Sequence, residues 1–276
     1  MSVMAVAPES VGVLLRRWRE RRRRSQLDLA IAADVSARHV SFIETGRAKP
    51  SPDMIEKLCD ELDVPLRERN TFYLGAGFAP IYPETPLDDL GVVREAVEAV
   101  LRGHQPHPAM AINVRWDLLA TNRAMQALLS DLDPRLLEPP VNALRAMLHP
   151  AGMAARVRNY RQWRAVTLRR VRRQLERTAA VGLDDLLAEL ESYPSPDTSE
   201  DVGSLPDNDL VMPIVLMTDV GDLSLHHALT VFGAPRDVTL DEIAIETFFP
   251  ADDHSARLLR QLTGADEVDQ GQPSAP

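Results

Sequence analysis

Between residues 25 and 49 the segment SQLDLAIAADVSARHVSFIETGRAK sets hydrogen-bonding and cationic side chains at spacings suited to nucleic-acid chemistry. Val40 and Ile43 mark the inward face of a short helix, which directs Ala37, Arg38, Ser41 and Phe42 outward. Arg38 offers a planar donor pair that matches guanine O6 and N7, while Ala37 and Phe42 can touch a thymine methyl. Ser36 and His39 open the same helix, and Gln26 starts the one before it, placed for a phosphate or a base edge. Arg47 and Lys49, just past Gly46, suit backbone phosphates, which position a protein without reading sequence. The run Arg16–Arg24 holds seven arginines and one glutamate. It reads in part as a solvated helix face, with Arg22–Arg24 open to phosphates.

The second half of the chain offers fewer chemical groups. On a long helical pattern, Arg164 lies four residues from both Tyr160 and Leu168, on an otherwise apolar stripe. Such a cation can pair with a ligand carboxylate, or it can snorkel or pair internally. Trp116 and Asn122 form a W-x5-N motif in which Asn122 can cap a helix or contact a ligand. Phe248 and Phe249 alternate across a strand, so one faces a core and the other a pocket or a helix. Trp116, Asn122, Tyr160, Arg164 and Phe248 are therefore the candidate ligand contacts. Alternation along Leu223–Val231 sends His226 and His227 to opposite faces, so the pair does not chelate one metal, and His227 reads as a satisfied core histidine. His104 and His107 lack further ligands at metal-binding spacing. No nucleophile elbow, metalloprotease helix, phosphate-binding loop or dinucleotide fingerprint stands in a fitting context, which argues against an enzyme and predicts no catalytic or metal-ligating residue.

Positioning these groups requires five helices in the first part. Val11, Leu14, Leu15 and Trp18 share one face of a helix over 10–22. Ser25 caps a short second helix, with Asp28 in its first turn. Ser36 caps a third that ends at Gly46. Ser51-Pro52 opens a fourth, and 66–74 forms a fifth. Gly75–Pro86 reads as a boundary. Beyond it the pattern predicts helices over 90–102, 122–129, 141–148, 154–177, 183–191 and 253–262. Strands are predicted over 109–116, 210–219, 222–232 and 243–249, with an acidic loop over 195–209 and a disordered tail.

The formal charge of −10 conceals an asymmetry. Residues 1–80 carry 13 basic against 11 acidic side chains, the remainder 18 against 30. A near-neutral head on an acidic body is compatible with DNA contact confined to the head, because counterion release depends on local phosphate contacts. The single Cys59 excludes an intrachain disulfide. The absence of a leader or a long apolar run predicts a cytoplasmic protein without membrane contact.

The string SQLDLAIAADVSARHVSFIETGRAKPSPDMIEKLCDELDVP resembles the Cro/C1-type (XRE) helix-turn-helix family. The resemblance implies a structural ion pair between Arg19 and Glu44 and a DNA-reading third helix. Ala37 stands where known members carry a base-reading glutamine, so base preference does not transfer. Residues 85–263, through PAMAINVRWDLLATNRAM, NALRAMLHPAG and TVFGAPRDVTLDEIAIETFFPADDHSARLL, resemble the ligand-binding domain of MmyB-like regulators. That resemblance implies a PAS-like fold and an apolar pocket for a fatty-acid-like molecule. The expected fold is mainly α with α+β: a five-helix helix-turn-helix domain over 1–80, then a linker and connecting helix over 81–103. A PAS-like antiparallel sheet with helices follows over 104–265, and a tail over 266–276. The expected partners are double-stranded DNA, a small apolar ligand and a second copy of the chain. No cofactor is expected apart from a bound fatty acid or similar apolar ligand. The alternative is a ligand-free dimerisation or protein-interaction module.

Overall fold

The computed structural model describes residues 9–196 and 212–263, which form two compact units. The first contains α1 (Val11–Arg21), α2 (Gln26–Ala32), α3 (Ala37–Glu44), α4 (Pro52–Glu61) and α5 (Leu66–Gly75). Leu14, Leu15, Trp18, Leu29, Val40, Ile43, Ile55 and Leu58 are buried as one apolar centre. Local chemistry sets the helix starts. Ser25 and Asp28 form a reciprocal capping box on α2. Ser36 Oγ accepts the His39 N–H, and Ser51 Oγ accepts that of Met54 with Pro52 at the first helical position. Gly46 leaves α3 at φ +72°, a left-handed turn that costs glycine little. Gly12 serves a different need: a Cβ there would lie 2.4 Å from the Ile43 carbonyl oxygen, so its absence lets α1 lie directly on α3.

The second unit contains α6 (Gly91–Gly103), β1 (Ala109–Ile112), β2 (Leu118–Thr121), α7 (Arg123–Leu129), α8 (Ala143–Leu148), α9 (Tyr160–Thr178) and α10 (Leu183–Ser192). It continues with β3 (Ile214–Thr218), β4 (Gly221–Val231), then β5 (Ala244–Pro250) and the closing helix over 253–263. The strands form one antiparallel sheet in the order β2-β1-β5-β4-β3, the helix-backed PAS-like layout that the resemblance implies. Strand alternation divides its faces. Met110, Ile112, Leu223, Leu225 and Phe248 pack on one side against α7, α8, α9 and α10. Ala109, Ala111 and Ile245 pack on the other against Val97 and Leu101 of α6, which thus belongs to this unit.

Three elements differ from the sequence reading. The strand expected over 109–116 is cut after Ile112, and β2 follows as a second strand. Asn113 Oδ1 accepts the N–H groups of Arg115 and Asp117 at 2.9 Å each, folding the backbone into a side-chain-closed turn. The helix expected over 154–177 is broken into a 3-10 turn over Met153–Arg156 and α9. At the break Val157 bridges Leu216 of β3, Arg158 N–H donates to Val215 O, and Asn159 satisfies the Val215 N–H and Pro213 carbonyl. Meeting those edge groups outweighs continuing the helix. Finally, the strand expected over 210–219 runs over Ile214–Thr218: Met212 and Pro213 stay outside it, proline having no N–H for a ladder, and residues 210–211 lie outside the described part. So do most of the acidic loop expected over 195–209 and all of the tail expected over 266–276.

The first unit also takes in Ala234–Asp241, from the connection between β4 and β5. Here α11 begins (Val238–Glu242), and the helix after β5 becomes α12 (Asp253–Thr263). Pro65 precedes α5 and supplies no side-chain cap. Asp241 Oδ2 accepts the Leu66 N–H instead, at 3.1 Å. Asp237 accepts the Thr85 N–H at 3.1 Å, and Val238 N–H donates to Pro83 O at 2.8 Å.

Candidate nucleic-acid interface and ligand cavity

On α3, the inward Val40 and Ile43 are fully buried and Arg38 is exposed. The Arg38 guanidinium lies 5.0 Å above the Phe42 ring and that of Arg47 lies 5.9 Å from it. One aromatic platform thereby restrains two flexible cations, which lowers the entropy lost when either meets a phosphate or a base. Sequence spacing marked Phe42 only as a methyl contact. Exposed Lys49 places Nζ 5.0 Å from the Phe78 ring. Ser36 is occupied by its cap, while Ala37, His39 and Ser41 are half-buried on the same short helix.

Behind this face, Arg19 donates to both oxygens of Glu44, at 2.6 and 3.1 Å, forming the implied ion pair. The hydrogen bond to Glu44 raises the Arg19 pKa against an opposing effect of burial. Gln26 Nε2 also donates to Glu44 Oε2 at 2.8 Å, tying α2 to α3. The arginine run is less open than its sequence suggests. Arg22 donates to the Leu62 and Asp63 carbonyls at the end of α4, at 2.7 and 2.6 Å. Arg24 stands 3.5 Å from Glu61. Arg22 thereby meets carbonyls left without helical partners at the end of α4.

In the second unit the five candidate ligand contacts do not converge. Phe248 lines an apolar cavity with Met110, Met125, Met147, Met153 and Leu225. Asn122 Oδ1 accepts from Met125 and Ala109, and Nδ2 donates to His107 and Leu101, so all its hydrogen-bonding capacity is used in capping α7 and joining it to β1. Trp116 Nε1 donates to Gln174 Oε1 at 2.8 Å, and its ring carries the Arg170 guanidinium at 4.6 Å. Tyr160 Oη donates to Leu148 O at 2.9 Å, and burial raises its pKa. Arg164 donates to the carbonyls of Leu190 and Glu191 at the end of α10, the internal pairing that its sequence left open.

The cavity's empty space, mouth included, is about 480 Å³, and every lining residue is apolar. Only a small part of that space is wide enough for a water molecule. Methionine is the one apolar side chain with three freely rotating bonds, so four of them in the wall make the space adaptable. That adaptability is invisible to periodicity, because the four residues come from four separate elements.

No helix among the described residues is long and apolar enough to cross a membrane. Among those residues no group of three or more His, Cys, Asp or Glu is arranged to hold a metal ion. No curated protein matches the chain. A solved RNA-binding light-oxygen-voltage receptor is similar at 12% identity, covering 94% of this chain and 63% of that one with a TM-score of 0.27. This chain therefore spans less than two thirds of that protein's length, and a likeness so slight carries no argument. The helix-turn-helix domain family matches residues 10–72. The MmyB-like transcription regulator ligand binding domain matches residues 93–262, more than half the chain. Neither family is enzymatic. The chain belongs to the MmyB-like transcription regulators, with a DNA-binding helix-turn-helix domain ahead of a ligand-binding domain.

Proposed function

We propose that this protein is a cytoplasmic, homodimeric, sequence-specific regulator without catalytic activity, whose second unit senses a small apolar, fatty-acid-like molecule. DNA is read by the outward face of α3, through Arg38 with Ser36, Ala37, His39, Ser41 and Phe42, and held by Gln26, Arg47 and Lys49. The observation that carries the ligand reading is the wholly apolar, methionine-walled cavity on the helix-covered face of the sheet. A flexible hydrocarbon chain fills such a space by displacing methionine rotamers, at little cost in hydrogen bonds. Ligand then changes operator binding only if it prefers one conformation of the protein over another.

The competing reading, a ligand-free dimerisation or interaction module, draws on how little of the cavity is wide enough for a water molecule. Native mass spectrometry separates the two by comparing intact and denatured masses of the purified chain. A co-purified mass or a saturable adduct with an added long-chain lipid supports the sensor, and a bare dimer that takes up none supports the module. Operator titration, on a duplex selected by the protein from a random pool, then tests the switch. Equal affinity with and without saturating ligand rejects switching and leaves DNA binding intact.

A further inference from the structure

The connection between β4 and β5 departs from the strands on either side of it. Both strands belong to the second unit, yet Ala234–Asp241 belongs to the first. Two aspartates hold it there. The buried Asp237 starts α11 by accepting the Thr239 N–H at Oδ1, 2.8 Å, and takes the Thr85 N–H at Oδ2, 3.1 Å. Beside it the buried Val238 donates its N–H to Pro83 O at 2.8 Å. One turn later, Asp241 Oδ2 accepts the Leu66 N–H that Pro65 leaves uncapped. The linker after α5 and the β4–β5 connection are therefore joined at one short helix, which also holds the first residue of α5.

From α5 to the reading helix there is little slack. A Cβ on Gly75, at the end of α5, would lie 2.5 Å from the Glu9 carbonyl oxygen, just ahead of α1. Gly12 brings α1 onto α3 in the same way. Backbones in such contact pass a displacement on, because packed interiors are barely compressible. On the other side of α11, β4 and β5 form a continuous antiparallel ribbon. It runs from Leu225 opposite Pro250 to Val231 opposite Ala244, about 20 Å of strand. Leu225 and Phe248, toward one end, line the cavity, and the connection leaves from the other end. Little of the cavity is wide enough for a water molecule, so a hydrocarbon chain enters by displacing wall residues, these two among them.

We infer that α11 is the output element of the sensor: a ligand in the cavity changes operator affinity through the β4–β5 ribbon and the hydrogen bonds of Asp237 and Asp241. The inference rests on the ligand switch proposed above. Filled and empty cavities then favour different positions of the ribbon, and the ligand's preference for one of them is the free energy available at α3. The linker after α5 is the alternative carrier, but no described residue of it lines the cavity.

The test uses the full chain freed of co-purifying lipid, a duplex selected by the protein from a random pool, and dodecanoate as the probe. The coupling factor is the ratio of duplex affinities with and without saturating dodecanoate. By linkage it equals the factor by which the duplex changes dodecanoate affinity. A wild-type factor of about tenfold is expected to fall to within about twofold of unity in the Asp237→Ala/Asp241→Ala double variant. Dodecanoate affinity and lipid-free duplex affinity are expected to keep their wild-type values. Ser51→Ala, which removes a comparable cap from α4, is expected to retain the full factor. If the double variant does not fold, a short Gly/Ser insertion after Gly233 slackens the connection with the aspartate bonds in place, and is expected to lower the factor likewise. A full factor in the double variant or the insertion variant would overturn the inference and leave the switch standing, carried by the linker. Loss of the factor in Ser51→Ala as well would reduce the effect to stability and overturn it too. Dodecanoate binding that leaves wild-type duplex affinity unchanged would reject the switch and this inference together, and so would no binding at all.

Discussion

Arg38 and Lys49 carry the same charge but different information. Arg38→Ala removes a planar donor pair from the proposed reading face and frees the Phe42 ring from its stack. Affinity for the selected operator is expected to fall by ~10–100-fold, with specificity relaxed at one or two adjacent base pairs. Lys49→Ala is expected to weaken binding to all sequences alike and to flatten the log affinity against log salt slope by about 1. Gel-shift titrations at several salt concentrations separate the two, and a matched pair of effects would place neither residue correctly. Behind them, Arg19 and Glu44 are 10% and 3% exposed at the side chain. Glu44→Ala therefore strands a buried guanidinium and an amide from Gln26. A loss of ~3–5 kcal/mol is expected, because breaking a buried pair costs the full desolvation of the survivor. Urea unfolding of the variant measures it, and a change below about 1 kcal/mol would mean that water replaces the carboxylate.

Elements whose ends are decided by their own residues were legible from the chain alone. Ser25, Ser36 and Ser51 announce α2, α3 and α4, and each cap bond is present. Elements decided by distant partners were not. Asn113 closes a turn locally, but its neighbours are so apolar that alternation hid the break. Asn159 ends a helix pattern only because an edge of β3 lies beside it. Asn122 and Arg164 illustrate the same limit at the candidate site: each looks available in sequence, and each is occupied by backbone groups brought in by the fold. Asp241 is the longest-range case, capping α5 from 175 residues downstream. Asp241→Ala is expected to remove about 1 kcal/mol, the ordinary worth of a side-chain cap. Urea unfolding followed by backbone dichroism and by Trp18 fluorescence, in a background carrying Trp116→Phe and Trp163→Phe, checks this. Loss of stability with an unchanged Trp18 midpoint would assign the effect elsewhere.

At the scale of the whole molecule, an acidic protein must still hold polyanionic DNA. The first 80 residues carry 13 basic against 11 acidic side chains, a net +2, and the rest 18 against 30, a net −12, so the acidic part repels DNA and contact must be local to the head. The homodimer proposed above would add a second such head on the same face of the duplex. Its half-sites then lie one helical turn apart or a multiple of it, about 34–36 Å per turn. Inserting about five base pairs between the half-sites of a selected operator rotates one by about half a turn and turns its major groove away from the second head. Affinity is expected to fall to that of a single head, and inserting about ten base pairs is expected to recover much of the loss. Gel-shift titration of the three duplexes reads the result directly. A steady decline with spacing and no recovery at a full turn would indicate heads on a rigid frame of one length, and no decline at all would indicate that each head binds alone.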